Sequence, residues 1–414
     1  MDFDDTQEEA AFRVKVRDFL ANNAEAKASA KRNAGTGWNK DEALAAARTW
    51  QAKKFDGGFA GLTMPTEYDG QGLSPIMQVI YSQEEGNYVV PRGVYEIGLG
   101  MCIPTMFAYA TEEQKQRYAK PALRGEEIWC QLFSEPAGGS DLAGLRTRAE
   151  RDGDADDADW IINGQKIWTS GAQFSDYAIL VTRSDFDVPK HKGLTFFFLD
   201  MKSRGVEVRP IKQMSGASNF NEVYFTDVRI PDSQRLGAVG DGWKVSLTTL
   251  MNERFAVGIA PPPDFDEVFN LVRETELEDG PALDNAMVRD RLADWYVRQQ
   301  GLKNSHFRTM TAMSRGETPG PESSINKVVS ASKYQDISFF GMEMQEMVGI
   351  MTDPEEVAMD GLFQTGTMSS PGYRIAGGTD EILRNIIAER ILGLPQDVRL
   401  DKEGAFRDLP TGRD

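Results

Sequence analysis

The sequence predicts a mainly α-helical protein with a β domain at its centre. Three observations carry that reading. Residues 1–128 are patterned as helices, residues 129–238 hold short β-rich apolar runs between frequent turns, and residues 239–395 return to long helical patterns ahead of a charged, Gly/Pro-containing tail over 396–414. With 414 residues the chain has enough surface to bury for two or three structural units.

The elements follow in order. Thr6, then Glu8-Glu9, precede a stripe of Ala10, Phe12, Val14, Val16, Phe19 and Leu20, a capping-type start to a helix. Gly57-Gly58 and the segment from Met64-Pro65 to Gly70-Gln71-Gly72 are turn chemistry, and Thr111-Glu112-Glu113-Gln114 opens another capped helix. The strand runs are Trp160-Ile161-Ile162, Tyr177 to Thr182, Leu194 to Leu199, Val206 to Ile211 and Val223 to Ile230. Asn163-Gly164, between Trp160-Ile161-Ile162 and Lys166-Ile167-Trp168, predicts a two-residue hairpin. Short strands with frequent turns suggest a compact barrel or sandwich. Helical patterns then run from Trp243 to Ala260, Asp284 to Arg315, Ser324 to Ile350 and Asp380 to Leu392, separated by Pro261-Pro262-Pro263 and the Gly/Pro stretch 316–321.

Composition removes several functions. Lys and Arg total 46 against 64 Asp and Glu, a net charge of −18, which argues against a nucleic acid or an anionic membrane as main partner. No apolar run approaches the roughly 18–20 residues that span a bilayer. The N-terminus is acidic where a secretory signal is basic, so a cytoplasmic protein is expected. The two cysteines, Cys102 and Cys130, lack CxxC spacing. His191 sits between lysines and reads as solvated loop, while His306 falls in a helical pattern. Ser-His-Asp hydrolysis and a histidine-rich metal site are therefore not expected, and no metal is assigned. Acid–base work falls to carboxylates, and redox chemistry to a cofactor.

Nucleotide motifs fail. There is no P-loop, and Gly237-Ala238-Val239-Gly240-Asp241-Gly242 has the wrong spacing for a dinucleotide fold. Asp152-Gly153-Asp154-Ala155-Asp156 starts like a calcium loop but places Asp157 where glycine is required, and reads as a solvated hairpin tip.

The sharpest local signal is Leu132-Phe133-Ser134-Glu135-Pro136-Ala137-Gly138-Gly139-Ser140-Asp141-Leu142-Ala143-Gly144, a strand entering a Gly/Ser loop that permits close backbone approach and offers hydroxyls to a polar cofactor edge. A second segment, Asn163-Gly164-Gln165-Lys166-Ile167-Trp168-Thr169-Ser170-Gly171, ends on an aromatic and two hydroxyls. Together with Gly242-Trp243, Asn252-Glu253-Arg254 and Gly378-Thr379-Asp380-Glu381-Ile382, these segments resemble the acyl-CoA dehydrogenase family, in the expected order from the first helix to Leu394.

The resemblance implies an N-terminal helical domain, a middle β-barrel and a C-terminal four-helix bundle that bind FAD. Its cofactor contacts map to Gln131, Leu132, Phe133, Ser134, Ser140, Trp168, Thr169, Ser170 and Thr379, and its substrate contacts to Ser140, Met251, Asn252, Arg254 and Gly377. The reaction implied is α,β-desaturation of an acyl-CoA thioester, with electrons passed to an electron-transferring flavoprotein.

Two departures refine this. The catalytic Glu of straight-chain relatives would fall at Gly377, which has no side chain, whereas a second branch carries its Glu on a bundle helix before an Arg, the place of Glu253. The stretch 247–260 is largely apolar, where a carboxylate is either costly or functional, so Glu253 is expected to be the base. The family's cationic clamp on FAD is replaced by Arg273-Glu274-Thr275-Glu276-Leu277-Glu278-Asp279-Gly280, and its second clamp motif by Gln345-Glu346-Met347-Val348-Gly349-Ile350. This resembles the heterotetrameric dehydrogenases that shorten steroid side chains and implies an unlike homologous subunit, with two-subunit pimeloyl-CoA dehydrogenases and a homo-oligomer as alternatives. Small residues at Ala376 and Gly377 leave room for a branched or ring-bearing acyl chain. An oxygen-using oxidase or monooxygenase of the same fold and a non-catalytic supporting subunit are the competing functions.

Overall fold

The computed structural model describes residues 5–27, 41–91, 93–256, 260–314, 320–351, 353–399 and 401–410. They fall into two units, one from the described residues of 1–26, 37–253 and 397–414, the other from those of 27–36 and 254–396.

The first unit opens with helices α1 (Gln7–Asn23), α2 (Asp41–Asp56), α3 (Pro75–Glu85), α4 (Ile103–Tyr109) and α5 (Glu112–Arg124). Thr6 and Glu9 form the capping box expected, each side chain accepting the other's backbone N–H, at 3.3 and 2.8 Å. Thr111 and Gln114 repeat it at α5. Val16 and Leu20 of α1 bury against Trp50, Leu62 and Tyr81.

A seven-stranded sheet follows: β1 (Trp129–Leu132), β2 (Arg148–Arg151), β3 (Trp160–Ser170), β4 (Tyr177–Arg183), β5 (Leu194–Asp200), β6 (Val206–Ile211) and β7 (Phe220–Ile230). Its order is β1-β4-β2-β3-β7-β6, with β5 antiparallel on β4. The unbroken apolar runs of β4 and β5 are those of strands covered on both faces. Ile179, Val181, Phe196 and Phe198 pack with Cys102, Ile103, Met106 and Tyr118 of the helical layer. Ala178, Leu180, Phe197 and Leu199 face the other way, onto Trp160, Ile162, Val223 and Phe225 within the curl of the sheet.

The hairpin predicted at Asn163-Gly164 is corrected. Trp160–Ser170 is one strand, pairing with β7 through two register shifts, one spanning Ile162 to Gly164 and the other Lys166 to Thr169. Gly164 serves a close approach rather than a turn, because a Cβ there would lie 2.7–2.9 Å from Thr147. The actual hairpin joins β2 to β3 through exposed residues 152–157, the acidic segment read as a tip.

The reading of 396–414 as a tail is also corrected. The described residues of 397–410 belong to the first unit, and Phe406 is buried there. His191, expected in solvated loop, is half-buried with its ring edge-on to Trp243 at 4.8 Å, and burial, with the charge of Lys190, holds its pKa below the ordinary imidazole value.

Helix α6 (Gly242–Ala256) lies in the first unit as far as Glu253. Gly242 is required where α6 starts, since a Cβ would meet the Leu194 and Thr195 backbone at 2.6–2.7 Å. The second unit holds α7 (Phe265–Glu274), α8 (Ala286–Ser314), α9 (Ser323–Glu343), α10 (Leu362–Tyr373) and α11 (Asp380–Ile386). Val268, Leu271 and Val272, at helical spacing, pack with Val288, Leu292, Trp295, Ile337, Phe340 and Phe363. Among the described residues no helix is long and apolar enough to cross a membrane.

Candidate functional site

The loop leaving β1 is held by two buried cations. Glu135 is a carboxylate inside the first unit. It accepts the backbone N–H groups of Arg146 (2.6 Å) and Thr147 (2.8 Å) and the Lys166 ammonium (2.8 Å), and so closes the loop upon itself. Lys166, fully buried, also donates to the Phe133 carbonyl at 3.0 Å. Burial works to raise the pKa of Glu135, but the charge and hydrogen bond of Lys166 outweigh it and keep the group ionised below the usual range. Burial, opposed by Glu135, lowers Lys166 from the ordinary lysine value. Arg183, at the end of β4, is equally buried and donates to the carbonyls of Ala143 (2.5 Å), Leu145 (2.9 Å) and Lys190 (3.1 Å). Burial brings its pKa down to about 10.

Between these anchors the sequence-assigned contacts separate. Leu132 and Phe133 are core side chains, Phe133 edge-on to Phe196, so only their backbone could meet a cofactor, and the Phe133 carbonyl is already taken by Lys166. Ser134 is half-buried and Ser140 exposed. The Ser134 carbonyl accepts the Ile167 N–H at 2.9 Å, which ties the loop to the second motif.

In that motif Trp168 is the departure. Its φ is +61°, the left-handed region that a bulky residue rarely adopts, and it lies within the second register shift of β3 on β7. The bulge turns the indole outward, 57% exposed, with Phe220 edge-on at 6.3 Å. Such strain costs of order 1–3 kcal/mol and persists where the surroundings impose it. Beside it, the Thr169 hydroxyl and the Asn221 side-chain oxygen are buried without a hydrogen-bond partner among the described residues, while the Asn221 amide donates to the Thr169 carbonyl at 2.9 Å. A polar ligand at this end of the sheet would satisfy them.

Helix α6 brings Glu253 to the same unit. Thr249 meets Thr105 of α4 at 2.9 Å, both hydroxyls buried, and Thr248 meets the Tyr109 hydroxyl at 2.9 Å. These pairs fix the helix, and Glu253 lies one turn beyond Thr249 on the same face. Its carboxylate accepts a long hydrogen bond, 3.5 Å, from the Gln131 amide of β1. Two assigned residues, Gln131 and Glu253, are thus brought together. Asn252 is half-buried and Met251 45% exposed, while the Arg254 side chain lies outside the described residues.

Gly377 and Thr379 belong to the second unit. Gly377 has φ +67°, and the Thr379 hydroxyl caps α11 by accepting the Ile382 N–H at 3.2 Å. Residues Glu276–Leu277 and Gly280–Pro281 close a tight antiparallel turn in which Glu274, Glu276, Glu278 and Asp279 are exposed. Sequence reasoning did not single out Glu135, Lys166 or Arg183. For Lys166 a signal exists: it shares the inward register of Trp160 and Ile162, where a lysine demands a buried partner.

Comparison with known proteins agrees along the chain. Family models described as the N-terminal, middle and C-terminal domains of acyl-CoA dehydrogenase match residues 6–126, 130–228 and 240–392. The chain is 34% identical to acyl-CoA dehydrogenase IpdE1 of Mycolicibacterium smegmatis over 394 residues, covering 94% of this chain and 98% of that one. Among solved structures it is similar to the Tcur3481-Tcur3483 steroid ACAD (TM-score 0.77, 25% identity, 96% of this chain and 100% of that one). It is similar also to the ChsE4-ChsE5 complex from Mycobacterium tuberculosis (TM-score 0.75, 26% identity, 96% and 100%).

Proposed function

The chain belongs to the acyl-CoA dehydrogenase family, and from that premise we propose that it desaturates the α,β bond of a bulky, branched or ring-bearing acyl-CoA with Glu253 as base. The observation that carries this is the placing of Glu253 on a helix held by the buried Thr105–Thr249 pair and the Thr248–Tyr109 contact, its carboxylate against Gln131 of β1. Gly377 has no side chain to do the same work. Glu253 takes the α proton, and as the β-carbon hydride departs a trans double bond forms between the two carbons. The chemistry that FAD supplies when bound is acceptance of that hydride.

The residues present fit such a group. Trp168 offers an exposed aromatic face, Ser134, Ser140 and Ser170 offer hydroxyls, and Thr169 and Asn221 offer buried polar atoms that lack partners among the described residues. Gln131 orients the Glu253 carboxylate, and Met251, Asn252 and Arg254 follow as substrate contacts. An electron-transferring flavoprotein would be the partner that carries the electrons away. The similarity to a steroid ACAD supports the bulky acyl class.

Glu253→Gln tests the base. It should retain flavin while flavin bleaching by substrate slows by about 10²–10⁴-fold, and an undiminished rate overturns the assignment. A second reading, an unlike partner subunit, is favoured by the exposed carboxylates at 274–279, which would repel a pyrophosphate, and by the similar two-component complex. Expressed alone, the chain should be poor in flavin, and co-expression with a homologous subunit should restore it. A homo-oligomer with a full complement of FAD overturns that reading.

A further inference from the structure

The C-terminal residues meet, within the first unit, one anchor of the loop, Arg183, and its neighbour Lys190. The Phe406 ring covers the Arg183 guanidinium, ring centre to carbon 3.5 Å, and lies 5.1 Å from that of Arg146. Backbone bonds seat it there: Phe406 N–H donates to the Val188 carbonyl and Arg407 N–H to the Phe186 carbonyl, both at 3.0 Å. Arg407 pairs with Asp187. A few residues earlier, Asp401 pairs with Lys190, a side chain only 7% exposed, which in turn holds Asp141 at 2.8 Å. Lys190 also gives its carbonyl to Arg183. Asp141 follows Ser140, and Arg183 holds the carbonyls of Ala143 and Leu145. The Asp401–Lys190–Asp141 chain and the Phe406 cover on Arg183 therefore both lead to the arm of the loop that carries Ser140, while the other links seat the segment on residues 186–188.

We propose that residues 401–407 are a positioning clasp for this loop: Asp401 through Lys190, and Phe406 through Arg183, hold the 140–145 arm in its ligand-ready form and so set flavin affinity. The inference rests on the flavin reading of the loop. Neither residue is catalytic, and both act through another side chain. The cationic face of Arg183 gains from an aromatic cover that water could not replace at the same density. The Lys190 ammonium, nearly buried, needs both carboxylates to offset its desolvation.

The test uses the full chain, with any subunit it purifies with, after removal and return of FAD. Two quantities are read: the FAD dissociation constant by flavin fluorescence, and the thermal midpoint of the FAD-free protein. Phe406→Ala should weaken FAD by about fivefold to tenfold, Phe406→Tyr should keep wild-type affinity, and Asp401→Asn should weaken it by roughly twofold to threefold. The FAD-free midpoint should move little in Asp401→Asn, whose side chain is 44% exposed, so that variant carries the test should Phe406→Ala fail to fold. Unchanged dissociation constants overturn the clasp, as does a fall in midpoint without loss of affinity. A wild-type chain that takes up no FAD at all overturns the flavin reading instead, and the clasp with it.

Discussion

The loop after β1 in the first unit and the 274–279 turn in the second treat charge in opposite ways. In the first, Glu135, Lys166 and Arg183 are buried, and their hydrogen bonds run largely to backbone around one loop. In the second, the carboxylates of 274–279 crowd a tight turn and face solvent. A buried charge is tolerated only when its partners are fixed, so each one in the first unit is a statement about loop geometry. Among the described residues the exposed cluster makes only a surface pair, Glu274 with Arg273 at 3.4 Å. The difference teaches that the loop after β1 is closed by its own chain, whereas the acidic turn leaves its carboxylates to solvent.

The strongest way to break the comparison is to unpair the first unit. Glu135→Gln leaves Lys166 buried without its counter-charge and should cost about 3–5 kcal/mol by denaturant titration. Adding Lys166→Met should return much of that loss. A single variant as stable as the wild type would show that the loop does not depend on the pair. A smaller effect sharpens the ligand side. Trp168→Ala should lower flavin affinity by up to about tenfold, and Trp168→Gly should lose it equally yet melt higher than Trp168→Ala, because glycine is at ease at φ +61°. Flavin content unchanged in both would remove Trp168 from the site. In the second unit, the combined change Glu274→Gln, Glu276→Gln and Glu278→Gln should alter stability by no more than about 0.5 kcal/mol. A larger loss would mean that the turn is structural after all.

The smallest effect spans both units. Burial depresses the pKa of His191 and of His306, the first aided by Lys190. A depressed imidazole binds its proton more weakly when folded than when unfolded. Its contribution is therefore intact above the unfolded value of about 6.5 and is lost as pH falls below it. The thermal midpoint should decline modestly from pH 7.5 to 5.5, and His191→Gln should flatten part of that slope.

Much of the fold was legible because it rests on local rules. The capping boxes at Thr6 and Thr111 and the apolar runs of β4 and β5 needed no tertiary information. The errors came where a distant contact overrode a local signal. Asn163-Gly164 has turn chemistry, but the approach of Thr147 uses the glycine inside a strand. The C-terminal residues have the composition of a tail, but one aromatic on Arg183 fastens them. Helix α10, with its Gly-Thr-Met-Ser-Ser run, has little periodicity to find, and Phe363 packs where Gly341 of α9 leaves room. In the site, Glu253 was assigned from the family resemblance and the empty position at Gly377. The buried cations that hold the loop were not, since a lysine or arginine reads as surface until its partners are known.

The two cysteines give this architecture a clock. Cys102 and Cys130 are wholly buried in the first unit, the Cys102 thiol donating to the Cys130 carbonyl at 3.6 Å. Burial pushes both thiols up, Cys130 to about 12. Folded protein therefore presents almost no thiolate to an alkylating reagent. These are the chain's only sulfhydryls, so the rate at which a chromogenic thiol reagent is consumed measures how often the first unit opens and is silent about the second. Labelling kinetics with and without flavin would then report, from one unmodified sample, how far the cofactor slows that opening.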